Sequence, residues 1–187
     1  MLKTIFCLFI LISLNTYSQT QGSFVHDGED RNFVYFVPSN WTNENQMPLL
    51  IVLHGLTQTG NGIMDITEFN TIAEDNGFIV CYPDGLNNSW NADMNSLNSE
   101  VDDLGFIEAL AAYFENNYNT NSRMRYLTGF SNGGFLSHKI ASESTMCFAA
   151  IGTVAGSMTI TTFTDFDPSF ETSVLHIHGT TDGIVPY

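Results

Sequence analysis

The stretch "YLTGFSNGGFLSH", Tyr126–His138, joins two different patterns at one corner. Its first half is apolar and β-prone, and its second half suits a helix. Between them lies Gly129-Phe130-Ser131-Asn132-Gly133, a serine with a glycine two residues away on each side. A strand that runs straight into a helix must reverse in very few residues. The residue at the reversal is forced into strained backbone geometry, and its side chain stands above the edge of the sheet. Flanking glycines remove the Cβ atoms that would strike the neighbouring strand and helix. A serine placed there also sits at a helix N-terminus, where the free N–H of the next residue can stabilise an oxyanion. The pattern alone is weak because Gly and Ser are common. The strand before it and the helix after it make Ser131 a candidate nucleophile.

The rest of the chain repeats the strand-then-helix alternation. Ser23 to Val37 reads as two strands turning at Asp27-Gly28-Glu29-Asp30, and Pro38 ends the second. Leu49–Leu53 is apolar without alternation, as expected of a strand covered on both faces of a parallel sheet. Ile63 to Asn76 has a helical apolar stripe ending at Gly77, and Phe78–Tyr82 is a second buried strand. Leu86 to Ser99 is a long polar loop carrying Trp90, long enough to suggest a functional role. Val101 to Asn119 is helical, with Asp102 and Asp103 in its first turn, where negative charge suits the helix dipole. Strands follow at 124–130, 148–154 and 173–177, with a helix over 132–142. Apolar strands alternating with helices predict an α/β fold whose sheet carries helices on both faces.

Length and composition fit one domain. The 187 residues are 43% apolar, and mean hydropathy is near zero. Twenty acids face five bases, giving a net charge of -15. That excess repels phosphate backbones and anionic membrane surfaces, which argues against nucleic-acid or membrane partners. Lys3 followed by the apolar run Ile5–Ile12 reads as a secretory signal peptide over residues 1–18, leaving 19–187 as the folded domain. The apolar run is about half the ~20 residues a membrane span needs. Export to the periplasm or the exterior follows. Cys81 and Cys147 remain after that cleavage. Buried thiols are the favoured reading over a disulfide, and neither cysteine has zinc-ligand spacing.

Two further loops complete the picture. Leu53-His54-Gly55-Leu56-Thr57 follows a buried strand. It can bring a backbone N–H, from Leu56 in preference to Thr57, to an oxyanion hole shared with the N–H of Asn132. His178 to Tyr187 follows the last strand, and Asp182 within it is placed to orient a catalytic histidine. Trp90 is open to two readings, a stacking surface for an aromatic acyl group or sugar, or an anchor for its loop. The pair Asp102–Asp103 reads as helix capping, because adjacent helical side chains point apart.

These segments resemble the α/β-hydrolase fold, and within it the secreted esterases of the polyhydroxybutyrate depolymerase and feruloyl or acetylxylan esterase type. The matching residues are "LHGLTQTG" (53–60), "VCYPDG" (80–85), "SWN" (89–91), "VDDLGFI" (101–107), "GFSNGGF" (129–135), "VAG" (154–156) and "HGTTDGIVPY" (178–187). The resemblance implies hydrolysis of a polyester or plant-polysaccharide ester by a serine nucleophile, without cofactor or metal. It also implies the order serine, acid, histidine. No histidine follows Asp182, so the expectation is that the chain stops short of the catalytic base. His26, His54, His138, His176 and His178 are expected to be structural. Two rivals to an ester hydrolase are a serine peptidase of the same fold and a non-catalytic binding module that keeps the motifs.

Overall fold

The computed structural model describes residues 19–94 and 98–187; the expected signal peptide lies outside the described residues. The chain opens with strands β1 (Thr20–His26) and β2 (Glu29–Phe36), an antiparallel hairpin turning at Asp27-Gly28. Strand β3 (Met47–Leu53) leads into helix α1 (Gly60–Thr67), then helix α2 (Phe69–Asn76) and strand β4 (Ile79–Pro83). Helix α3 (Asp103–Tyr118) precedes β5 (Thr120–Phe130), α4 (Asn132–Glu143), β6 (Ala150–Val154), the short helix α5 (Ile160–Thr164) and β7 (Ser173–Ile177). The seven strands form one sheet in the order β1-β2-β4-β3-β5-β6-β7. From β4 to β7 every pairing is parallel, and β1 and β2 make an antiparallel margin.

Alternate residues of each central strand feed two separate cores, because side chains alternate faces along a strand. Phe33, Tyr35, Leu49, Ile51, Leu53, Ile79 and Cys81 pack with Phe106, Leu110 and Phe114 of α3 and Leu136 and Ile140 of α4. Val34, Phe36, Val52, Val80 and Tyr82 pack on the opposite face with Ile63, Met64 and Ala73 of α1 and α2. Both faces are therefore covered, as the unbroken apolar runs require.

Three local expectations are corrected. The helix expected over Ile63–Asn76 is two helices. Glu68 adopts a left-handed conformation (φ 51°) that ends α1 and starts α2. Strand β5 begins at Thr120 rather than near Met124, since Thr120 pairs with Met47 before a register shift in β3. The segment Ile160–Thr164 forms α5, which its weak apolar pattern did not announce; Thr159 caps it by accepting the Thr162 N–H at 3.1 Å. Both later cysteines are free, Cys81 buried and Cys147 half-buried. Strand β7 stands apart: Val174, Leu175 and Ile177 are all more than half exposed. Among the described residues no helix is long and apolar enough to cross a membrane.

Candidate active site

The parallel strands bring the singled-out loops to one edge. Leu53 pairs with Gly129, Phe130 with Val154, and Val154 with Ile177, so β3, β5, β6 and β7 end together. The loops bearing Leu56, Ser131 and Asp182 all leave from that carboxyl edge, the side on which open α/β sheets bind ligands.

Ser131 occupies the corner between β5 and α4 with φ 49° and ψ -116°. That is a left-handed backbone that L residues other than glycine avoid, and holding it costs about 1–3 kcal/mol. Surrounding bonds enforce it. The Ser131 N–H donates to the Val154 carbonyl at 2.8 Å, and the Ser131 carbonyl accepts from Gly134 at 2.8 Å and Phe135 at 3.0 Å. The glycines explain themselves sterically. A Cβ on Gly129 would collide with the Gly133 carbonyl, and one on Gly133 would lie 2.5 Å from the Leu53 carbonyl oxygen.

Among the described residues the backbone N–H groups of Leu56, in the loop after β3, and of Asn132, next to Ser131 in the chain, have no hydrogen-bond partner. The Thr57 N–H is engaged, donating to the Asn88 carbonyl at 2.8 Å. Leu56 and Phe130, the latter next to Ser131 in the chain, keep 44% and 40% of their surface exposed.

Asp182 stands in the loop after β7. Its Oδ1 accepts the Ile184 N–H at 2.9 Å and the Val185 N–H at 3.0 Å, and these bonds lower its pKa. The carboxylate is ionised and held by its own loop.

Each histidine has partners of its own, and one of them, His178, lies 3.7 Å from Asp182 Oδ2 within the same loop. His54 is fully buried; its Nε2 accepts the Gly85 N–H at 3.0 Å, so Nδ1–H donates to the Gly55 carbonyl at 2.8 Å. Burial lowers its pKa, and the neutral ring is a strut. His178 Nε2–H donates to the Val185 carbonyl at 2.7 Å. His176 Nδ1 meets Thr153 Oγ1 at 2.8 Å, and His138 Nε2 reaches the same hydroxyl at 3.4 Å. His26 pairs with Asp102 at 3.0 Å on the far margin of the sheet, with β2, β4 and β3 between β1 and β5. Among the described residues no group of three or more His, Cys, Asp or Glu is arranged to hold a metal.

His138 yields a stability prediction. Burial first, and the neighbouring His176 second, depress its pKa from 6.5 to about 4. As pH falls from 6.5 to about 4, the unfolded chain takes up a proton that the folded chain refuses, so stability is lost through that window. His138→Gln should flatten the decline in unfolding free energy between pH 7 and pH 5 by roughly 1–2 kcal/mol. Urea unfolding at the two pH values measures it.

Trp90 is enclosed by its contacts. It is fully buried, its indole N–H donates to the His54 carbonyl at 2.9 Å, and its ring lies 4.8 Å from the His54 ring. A ring with no exposed face cannot stack on a substrate in this arrangement, so of the two readings the loop anchor is the one its contacts support. The capping reading also needs correction at Asp103. Asp102 is the cap, accepting the Gly105 N–H at 2.9 Å. Asp103 instead points inward, fully buried, against Arg31 Nη2 at 2.5 Å and the Asn91 N–H at 2.6 Å. Arg31 lies in the polar first half of β2, between Asp30 and Asn32, so no residue pattern announced this pair.

A mostly parallel seven-stranded sheet, covered by helices on both faces and with a serine on a strained strand-to-helix turn, defines the α/β-hydrolase fold. The Esterase family model matches residues 26–176, and the chain belongs to that family. It is 27% identical over 175 residues to the bifunctional acetylxylan esterase/xylanase XynS20E of Neocallimastix patriciarum, covering 94% of this chain and 24% of that protein. It is 25% identical over 169 residues to "Probable feruloyl esterase C" of Aspergillus flavus, covering 87% of this chain and 59% of that one. The chain thus spans less than two thirds of the length of either relative. Among solved structures, the ferulic acid esterase AmCE1/Fae1A of Anaeromyces mucronatus superposes with a TM-score of 0.72 at 17% identity, over 93% of this chain and 76% of that one.

Proposed function

We propose that the full-length protein is an exported serine hydrolase that cleaves carboxylic esters of the feruloyl or acetylxylan kind. The observation that carries this reading is Ser131, held at a left-handed strand-to-helix corner, together with the Leu56 and Asn132 amides, which have no partner among the described residues. In the proposed reaction a histidine takes the Ser131 proton as Oγ attacks the ester carbonyl. The amides of Leu56 and Asn132 hold the oxyanion, and the alcohol leaves with the proton returned by the histidine. Water, deprotonated by the same histidine, then attacks the acyl-enzyme and frees the acid and Ser131. Asp182 orients the histidine and stabilises its cation. Among the described residues none of the five histidines is hydrogen-bonded to Ser131, and His178, 3.7 Å from Asp182, donates to the Val185 carbonyl, so no histidine of this chain is assigned as the base. Leu56 and Phe130 offer the acyl group an apolar rim. The family match and the names of the relatives support the ester class.

Chemical trapping tests the assignment. A fluorophosphonate should inactivate the full-length protein and add its mass to one tryptic peptide, residues 126–139, at Ser131. Hydrolysis of p-nitrophenyl acetate that persists without labelling of Ser131 overturns the reading.

A further inference from the structure

The loop between β4 and α3 lies against both candidate oxyanion donors. The Asn88 carbonyl accepts the Thr57 N–H at 2.8 Å, which fixes the peptide next to Leu56. Two residues on, Trp90 clasps the Asn132 side chain from both ends: its N–H donates to Asn132 Oδ1 at 2.7 Å, and its carbonyl accepts from Nδ2 at 3.1 Å. The Trp90 indole ties the same strap to the His54 carbonyl at 2.9 Å, in the loop that carries Leu56. One strap of chain therefore touches the loops after β3 and β5 at once. Its far end is anchored by Asn91, whose N–H reaches Asp103 at 2.6 Å and whose side chain donates to the Val101 carbonyl at 2.8 Å. Asp103 is itself pinned by buried Arg31, whose guanidinium lies 3.8 Å above the Phe106 ring.

Resting on the proposed serine-hydrolase reading, we infer that the Asn88–Asn91 strap sets the spacing of the Leu56 and Asn132 amides, and that the Asn132 side chain and Asp103 are positioning groups for the oxyanion hole. The two amides come from different loops, and among the described residues no hydrogen bond joins those loops directly at the donors. Beyond the β3–β5 pairing that ends at Leu53 and Gly129, the strap is the hydrogen-bonded link between them. An oxyanion hole works only if its donors are already placed where charge develops, so a shift in either amide is felt in the transition state more than in the bound substrate. A buried ion pair at the anchor is costly to desolvate, and such pairs are better at fixing a unique geometry than at adding stability.

The test uses the full-length protein with p-nitrophenyl acetate. Asn132→Ala keeps the backbone N–H but removes both clasping bonds. It should lower kcat by about 10–100-fold with KM changed less than about twofold. Asp103→Asn keeps an acceptor for Asn91 but loses the charge that holds Arg31, and should lower kcat by about 5–20-fold with the same KM pattern. Phe114→Leu, on the buried side of α3 and eleven residues along it from Asp103, serves as a stability control. It should match the thermal shift of Asp103→Asn while keeping kcat. The inference is overturned if the two strap variants retain kcat within about twofold, if their losses fall on KM, or if Phe114→Leu loses kcat equally. These outcomes are distinct from failure of the underlying reading, in which Ser131→Ala would retain turnover.

Discussion

Ser131→Ala in the full-length protein should reduce ester hydrolysis by at least about 10⁴-fold, leaving only what the oxyanion hole and substrate binding supply. The alanine keeps a Cβ, so the left-handed corner and its strain remain, and its thermal midpoint should stay close to that of the parent. Ser131→Gly should be equally inactive yet more stable than Ser131→Ala by about 1 kcal/mol, because glycine adopts φ 49° without penalty. The pair separates chemistry from strain. Activity in either variant removes Ser131 from the reaction, whereas equal stability of the two means that the corner stores no strain.

The second large effect is structural. Gly129→Ala and Gly133→Ala should each destabilise the fold by about 3 kcal/mol, the cost of forcing a methyl group into backbone. In both cases the obstruction is a carbonyl, Gly133 for the first and Leu53 for the second, and neither can swing aside as a side chain would. Helix α4 would have to lift from β3 and β5, carrying the Asn132 amide with it. Urea midpoints of both variants, compared with Gly179→Ala in the open loop after β7, measure the effect; a Cβ at Gly179 meets nothing within 4 Å. Midpoints unchanged at the corner would mean that helix and strand are not in such close approach.

The layered architecture was legible because unbroken apolar runs such as Leu49–Leu53 make sense only with cover on both faces. Ser131 was legible because glycine spacing, strand and helix coincide at a single corner. The strap was not. Its function depends on backbone amides and carbonyls of Asn88, Trp90 and Asn91, which have no signature in residue type. Trp90 illustrates the difficulty: an indole in a polar loop looks available until the fold closes over it. Asp103 was misread because sequence spacing shows that two adjacent carboxylates point apart, but not that one of them points at Arg31.

Strand β7 has a consequence for Asp182. Asp182 grips its own loop firmly, yet that loop hangs from the barest strand of the sheet, with Val174, Leu175 and Ile177 open to solvent. The nucleophile corner is braced by two packed layers, while the carboxylate is suspended from a margin. How steadily the Asp182 carboxylate is held therefore depends on the exposed margin that carries its loop as much as on the two amides it grips.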